Sequence, residues 1–466
     1  MTTASRQLPV HAARRRGGMA WPKARLLAAH ANPLPAQGIP LVDALGCMLA
    51  ADLTALGDLP ATDNSAMDGW AVAGSPPWRV MADLPAGRLY GHRLRGGQCV
   101  RIATGATVPD GTDAVVPVEE SMTDTSGVRR ASDACPEQTT LRSHIRRAGE
   151  EATHGDMLLR AGTMVTPPVL GLAAAAGNDT LLVVPTATVD VFILGDELLD
   201  AGISGASRTR DALGPQLPGW LQSFGVSPRT LRRLPDNLTT LTAALAASDA
   251  SVLITTGGTG VGPRDHVRAG VEQSGGRLLV DGVDVKPGHP MLLASLPGDR
   301  WLVGLPGNPL AACVTMLTLI EPLLTALHGR RPKPHATARL TTAQPRRPGD
   351  GHRLLPVALT TDGNAVVLPS CGSAMLLGLA AATGLAVIDP TGADAGQEVR
   401  YLALPWSQAP ATESFVSKRA QTTSSASVDV PPATSALLSP SPQSRLSLSD
   451  RQMCTGSAVH PPGKRQ

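Results

Sequence analysis

The stretch ITTGGTGVGPRDH, residues 254–266, decides the fold. The apolar run Ser251 to Ile254 meets two threonines, then four glycines within six positions, then Pro-Arg-Asp-His. In a doubly wound sheet, ligands sit beyond the carboxyl ends of the strands. A strand ending there would deliver Gly257, Gly258, Thr259, Gly260 and Gly262 to that crevice. Glycine lets backbone N–H groups approach an anion with no Cβ in the way. A helix beginning near Asp265 would add the positive end of its dipole. The loop therefore suits a phosphate or a phosphorylated cofactor. It is neither GxxxxGK[ST] nor GxGxxG, so it is not read as an ATP P-loop or a dinucleotide fingerprint. A plain strand-to-helix turn with Asp265 as helix N-cap fits the same spacing.

The surroundings favour the sheet. Residues 187–330 alternate strand and helix: TVDVFIL, helices near Leu213–Phe224 and Leu238–Ala247, SVLITT, RDHVRAGVEQSG, RLLV, then WLVGL and a helix from Pro309 to Leu327. Such alternation predicts a parallel sheet with helices on both faces. A second strand end reads ILGDELLDAG, with Asp196 and Glu197 after one glycine. Two carboxylates at the mouth of a sheet suit a divalent cation such as Mg²⁺, or simply cap a helix start. The third strand end is VGLPGNPLAACVTM, where Pro309 opens a helix at its first position. Its first amides are expected to face an anion.

Outward from this core, the chain has 466 residues, a length typical of about three domains. Hydrophobic residues make up 42%, enough for packed cores, and the scarcity of aromatics (2%) leaves those cores to Ala, Val, Leu and Ile. The formal charge of +3 argues against a dedicated nucleic-acid binder. No pair of the six cysteines is spaced as CxxC, so no zinc site or disulfide framework is expected. Reduced thiols in a cytoplasmic protein are the simpler reading. No apolar run of about 18 residues is expected to span a membrane, and no signal peptide is expected.

Residues 1–18 form a polar arm carrying the basic run His11 to Arg16, and 407–466, rich in Ser, Thr and Pro, have the composition of a disordered tail. Two helical patterns follow the arm, Trp21–His30 and Leu41–Leu53. Residues 70–146 carry short strand-like runs, the signature of a small all-β module. Residues 147–186 end in a helix, Pro167–Ala176, and 331–406 are again β-rich. Asp63, Asn64, Ser65 and Asp68 are crowded into ATDNSAMDGWAV, and Thr104 and Gly105 follow a strand in RIATGATVPDGTDAVV. RRAGEEATHGDMLLRAGT sets Arg146 and Arg147 beside Glu150 and Glu151, either a surface ion network or the lining of an anion site.

Together DNSAMDGWAV, RIATGATVPDGTDAVV, RRAGEEATHGDMLLRAGT, GDEL, TTGGTGVGPRD, VKPGHP and GLPGNP resemble, in order and over roughly residues 19–406, the molybdopterin molybdenumtransferase family of the MoeA and gephyrin E-domain type. The resemblance implies an α/β multidomain protein. It comprises a helical and mixed N-terminal domain in two pieces, 19–69 and 147–186; a small β-rich inserted domain, 70–146; a MogA-like doubly wound α/β domain, 187–330; and a β-barrel-like C-terminal domain, 331–406. It implies a cytoplasmic homodimer with an active site shared between subunits. The substrates would be adenylylated molybdopterin and molybdate, the products molybdenum cofactor and AMP, and Mg²⁺ would assist. Passing contact with a MogA-type adenylyltransferase would supply the substrate; neither nucleic acid nor membrane is an expected partner.

Carried over by position, the resemblance makes Asp68, Thr104, Glu197, Asp265 and Lys286 catalytic, with Asp68, Glu197 and Asp265 on the metal. Gly257, Gly258, Thr259, Gly260, Arg264, Pro287, Gly288, Pro306, Gly307, Asn308, Pro309 and Ser373 would bind the pterin and its phosphates. The chain departs from the family pattern at Leu194, Gly282, His289 and Glu151, in GASRTRDALG after GDEL, and in SCGSAM. TTGGTGVGPRD is closer to the form in the related molybdopterin adenylyltransferases, so adenylyl transfer is the alternative activity. A noncatalytic scaffold on the same fold is the alternative of another class.

Overall fold

The structure, a computed structural model, describes residues 18–131, 144–332, 334, 336–347, 349 and 351–407. The basic run His11 to Arg16, Cys135, Cys454 and the tail from residue 408 lie outside the described residues.

The chain begins with β1 (Met19–Ala20) and α1 (Trp21–Ala29), then the short strands β2 (Gln37–Pro40), β3 (Met48–Leu49), β4 (Leu53–Thr54) and β5 (Asn64–Ser65). The helix expected over Leu41–Leu53 is absent: only a single 3₁₀ turn forms at Leu41–Asp43. Gly46 stands at φ +81, which ends any helix there. Val42 (86% exposed) and Leu45 (55%) face solvent, so the apparent apolar stripe is not a buried face.

Strands β6 (Gly69–Ala73), β7 (Arg79–Leu84), β8 (Gln98–Ile102) and β9 (Ala114–Pro117) make a four-stranded sheet in the order β7-β8-β6-β9, followed by the hairpin β10 (Ser121–Asp124) and β11 (Gly127–Arg130). Alternate residues of β6 divide between two small cores, Ala71 and Ala73 on one face, Trp70 and Val72 on the other. The chain then returns through β12 (Ile145–Arg146), β13 (Met157–Leu159), α2 (Pro167–Ala175) and β14 (Thr180–Val184). β12 pairs with β5, β13 with β4, and β14 with both β2 and β3.

Next come β15 (Val189–Leu194), β16 (Leu198–Leu199), β17 (Thr209–Arg210), α3 (Leu217–Ser223), β18 (Pro228–Leu234), α4 (Leu238–Ala247), β19 (Val252–Thr256) and α5 (Val267–Gln273). They continue into β20 (Arg277–Asp281), β21 (Val283–Lys286), β22 (Leu292–Leu296), β23 (Arg300–Leu305) and α6 (Pro309–Thr315); a π-helical segment, Met316–Ile320, leads to α7 (Glu321–Leu327). The six-stranded sheet runs β18-β15-β19-β23-β22-β20. Its first four strands are parallel, as expected, but β22 is antiparallel to both β23 and β20. The period of two assigns the faces. Val189, Val191 and Ile193 pack with α3 and α6, while Phe192 and Leu194 pack with α4 and α5.

The span Pro309–Leu327 is long and apolar enough to cross a membrane by length and composition (mean hydropathy 1.9), which corrects the expectation of no such stretch. Within the protein, 83% of that window is buried. Pro322 explains its π segment. It has no N–H to offer the Thr318 carbonyl, and its ring crowds that carbonyl, so the helix widens ahead of it. Arg25 of α1 bonds the Leu317 carbonyl and pairs with Glu321. Trp21, fully buried, donates its indole N–H to Thr318 Oγ1 at 2.9 Å. Truncating a tryptophan so placed costs about 3–5 kcal/mol.

The last strands, β24 (Ala336–Leu340), β25 (Gln344–Pro345), β26 (His352–Leu359), β27 (Asn364–Val367), β28 (Gly384–Ile388), β29 (Gly392–Ala393) and β30 (Glu398–Ala403), flank the short helix α8 (Leu377–Ala380). The sheet β26-β27-β24-β30-β28 closes on itself through a β26–β28 pairing, a barrel-like element. It also recruits β21 beside β26, and β1 beside β21. One hydrophobic core consequently runs from Trp21 and Ala24 through the α/β sheet to Leu354, Leu385 and Leu402.

His328, 1% exposed, ends α7 and accepts the Ala187 N–H on Nε2 at 3.0 Å. Burial, with the charge of Arg330 beside it, pushes its pKa down to about 4. The folded imidazole is neutral, whereas in the unfolded chain it takes a proton near pH 6.5. Its contribution to stability is therefore complete above that value and is lost as pH falls toward the folded pKa, on the order of 3 kcal/mol in all. Denaturant midpoints measured between about pH 7.5 and pH 4.5 are expected to fall accordingly, and His328→Gln to flatten the fall.

Candidate functional site

The parallel register ends three neighbouring strands at one level. Ile193 of β15 pairs with Thr256 of β19, and Thr256 with Leu305 of β23. Leu194, Gly257 and Pro306 therefore follow side by side, and Gly195 leaves the sheet one residue later. Gly257 donates its N–H to the Leu305 carbonyl at 2.8 Å. Gly257 and Gly258 stand at φ +74 and +63, and a Cβ on Gly258 would lie 3.1 Å from Leu194 Cδ1. The Thr259 methyl is so close to β23 that a Cβ on Gly304 would meet it at 2.8 Å. Thr255, Thr256 and Thr259 are all buried, so the loop's root is rigidly packed.

Asp265 folds back beneath this loop. Its Oδ2 accepts the Gly262 N–H at 2.7 Å, and a Cβ on Gly260 would reach that oxygen at 2.5 Å. The helix starts at Val267, two residues after Asp265; His266 is its N-cap residue and no side chain caps it. The N-cap reading of Asp265 is thereby corrected: the acid closes the loop, not the helix. Arg264 is exposed. Arg268, which the sequence reading passed over, bonds the Thr259 carbonyl at 2.7 Å and the Gly260 carbonyl, and its Nε donates to Asp281 at 2.7 Å. No spacing in the sequence announces this contact, because Asp281 arrives on the far side of α5.

At the first strand end, Asp196 and Asp236 exchange bonds, each backbone N–H donating to the other's carboxylate at 3.2 Å. Asp196 and Glu197 are both exposed. Lys286 closes β21 and is exposed. The following Pro287-Gly288 turn lies on α6, where a Cβ on Gly288 would stand 3.2 Å from Val314 Cγ1. His289 bonds the Val283 carbonyl through Nδ1 at 2.7 Å, and its ring stands against Gly282. Two departures from the family pattern are therefore neighbours in space.

The start of α6 differs from expectation. Gly307 and Asn308 are exposed, and Pro309 opens the helix as expected. The amides of Leu310 and Ala311, however, donate to the Ser373 carbonyl at 3.0 and 3.3 Å, and Asn308 Nδ2 reaches Ser373 Oγ at 3.3 Å. A protein carbonyl caps the amides expected to face an anion, because the barrel brings Ser373 over this end. The same contact places Ser373 beside Asn308.

Asp68 and Thr104 form a separate group. Asp68 Oδ1 accepts from the Thr104 N–H at 2.6 Å and from Thr104 Oγ1 at 2.9 Å. The backbone bond first, then the hydroxyl, holds the exposed Asp68 carboxyl below the usual carboxylate range. Asp63 accepts the Ala148 N–H, tying DNSAMDG to the Arg146–Glu151 turn. In that turn Glu150 accepts the Arg147 backbone N–H at 2.8 Å. Among the described residues, no hydrogen bond joins Asp68 or Thr104 to Glu197 or Asp265. Nor do three or more His, Cys, Asp or Glu side chains gather there to hold a metal. The three acids expected on one cation are not brought together within one chain.

Three family descriptions match in order: the MoeA N-terminal region (domain I and II) over residues 10–177, a probable molybdopterin binding domain over 190–326, and the MoeA C-terminal region (domain IV) over 337–404. Molybdopterin molybdenumtransferase 2 of Mycobacterium tuberculosis is 35% identical over 325 residues, 66% of this chain and 79% of its own length. The molybdopterin molybdenumtransferase of Synechococcus elongatus is 30% identical over 381 residues, 78% and 92% of the two chains. A molybdopterin biosynthesis MoeA protein of Pyrococcus horikoshii shares the fold, with a TM-score of 0.62 at 23% identity over 83% of this chain and 99% of that one.

Two outcomes follow from the geometry. Thr104→Val removes one of two bonds to Asp68, so the Asp68 carboxyl should titrate at higher pH, read by carbon-13 NMR. Gly260→Ala drives a methyl into the Asp265 carboxylate and should weaken anion binding by about tenfold in a titration with inorganic pyrophosphate, while the melting curve stays cooperative.

Proposed function

The chain belongs to the molybdopterin molybdenumtransferase family, and from that premise we propose that it inserts molybdate into adenylylated molybdopterin, releasing AMP and forming molybdenum cofactor. The observation that carries this reading onto particular residues is the convergence of the Gly195, Gly257–Gly262 and Pro306–Asn308 loops at one sheet edge, with Asp265 folded beneath the central loop. Both substrates are anionic. The amides of the Gly-rich loop, with Arg264 and Lys286, would hold the pyrophosphate linkage and the incoming molybdate. Pro287, Gly288, Asn308 and Ser373 would line the pterin side. The bond that breaks joins the adenylyl phosphorus to the bridging oxygen, and an oxygen of water or molybdate takes its place. Positioning and fixed positive charge would supply most of the rate.

Asp68 and Thr104 stand apart from this edge, which supports a homodimer in which one subunit's Asp68–Thr104 pair completes the other's site. Mg²⁺ belongs to this proposal on the same condition. One chain does not form its site, and Glu197 and Asp265 alone would share a cation with the substrate's phosphates. The described cysteines Cys47, Cys99, Cys313 and Cys371 are all free, which fits a cytoplasmic setting. Contact with an adenylyltransferase would spare a reactive mixed anhydride from water.

The purified protein, given adenylylated molybdopterin, molybdate and Mg²⁺, is expected to release AMP. Asp265→Asn should cut that rate about 100-fold, and chelation of Mg²⁺ should abolish it. Bound molybdopterin with no AMP above a blank overturns the reading in favour of a scaffold. Transfer of AMP from ATP onto free molybdopterin overturns it in favour of the adenylyltransferase.

A further inference from the structure

The Gly-rich loop has an internal support that its motif does not include. Val267 N–H bonds the Gly258 carbonyl, and Arg268 bonds the carbonyls of Thr259 and Gly260. Three consecutive carbonyls are therefore turned toward α5. A trans peptide is planar, with its N–H opposite its C=O. The N–H groups of Thr259, Gly260 and Val261 must point the other way, out of the loop. Among the described residues no protein acceptor takes them, nor the Gly258 N–H before them, whereas the Gly257 N–H goes to Leu305 and the Gly262 N–H to Asp265. A row of outward amides forms a concave nest for an anion. Arg268 is what fixes two of the three peptide planes, and Asp281 holds Arg268 from behind through Nε at 2.7 Å. The Arg268 side chain is largely covered, 20% exposed.

We propose that Arg268, held by Asp281, is a positioning residue that sets the Thr259-Gly260-Val261 amides as the receptor for the phosphate end of the adenylylated substrate. This rests on the reading of the loop as the phosphate cradle. Arg268 acts through its planar fork, which reaches two carbonyls and a carboxylate at once. A lysine carries the same charge but cannot hold that geometry.

The test compares wild type with Arg268→Lys, Arg268→Met and Asp281→Ala, measuring AMP release against adenylylated molybdopterin and, separately, against molybdate. Losing charge-assisted bonds to the loop should raise KM for the adenylylated substrate about tenfold or more in both Arg268 variants. The kcat and the KM for molybdate should stay within about twofold, because the receptor and not the chemistry is disturbed. Asp281→Ala should shift KM the same way by a smaller factor; it decides the matter should the Arg268 variants fail to fold by circular dichroism. A lysine variant with wild-type KM means that charge alone matters and overturns the proposal, as does an unchanged KM in all three. A wild-type protein that releases no AMP instead refutes the underlying reading, before any variant is compared.

Discussion

Everything at the candidate site depends on one constraint: three parallel strands end at the same level. Because Ile193, Thr256 and Leu305 lie in one register row, the residues that follow them must share a narrow strip of space. Glycine at 257, 258, 260 and 304 is the consequence, since neighbouring backbone or packed side chains already occupy most of the room a Cβ would need. The same crowding forces polar groups to find partners within the strip. Asp265 takes an amide, Arg268 takes carbonyls, and Leu305 takes the Gly257 N–H. The amides left over are those that face outward.

Two elements from distant parts of the chain complete this edge. The barrel sends Ser373 over the start of α6, and the turn after β21, a strand of the barrel's sheet, packs on α6. The edge is thus built jointly by the α/β sheet and the closed sheet, which share one hydrophobic core. Pro322 and the π segment belong to the same arrangement. The widened helix offers a carbonyl to Arg25 and a hydroxyl to Trp21, anchoring α1 where β1 can join the barrel's sheet.

Much of this was legible in the sequence, for physical reasons that differ by element. The glycine loops were legible because strand ends and glycine clusters are local signals, and Leu238–Ala247 was legible because its pattern and its Asn237 cap agree. The pattern over Leu41–Leu53 misled because spacing alone does not tell which face is buried, and Gly46 at φ +81 interrupts it. Strand β22 escaped notice because its apolar run adjoins that of β23, and antiparallel neighbours leave no alternation of strand and helix. Arg268 and the Ser373 cap were illegible for another reason. Each acts across a fold contact, and nothing near either residue in sequence marks it as different from an ordinary surface arginine or loop serine.

The sharing of β1 and β21 between segments bears on what can be exchanged in such a chain. The inserted β-module keeps its own two cores and joins the rest through short strand pairs, so nature could lose, swap or elaborate it with little disturbance elsewhere. The barrel is in the opposite position. Its sheet is finished by strands coded upstream in two places, Met19–Ala20 and Val283–Lys286, and its loop plugs a helix of its neighbour. Recombination that cut between the α/β domain and the barrel would leave open sheet edges on the severed pieces. Evolution of this chain is therefore expected to vary the module freely and to inherit the α/β domain, the barrel and the first helix as a single block.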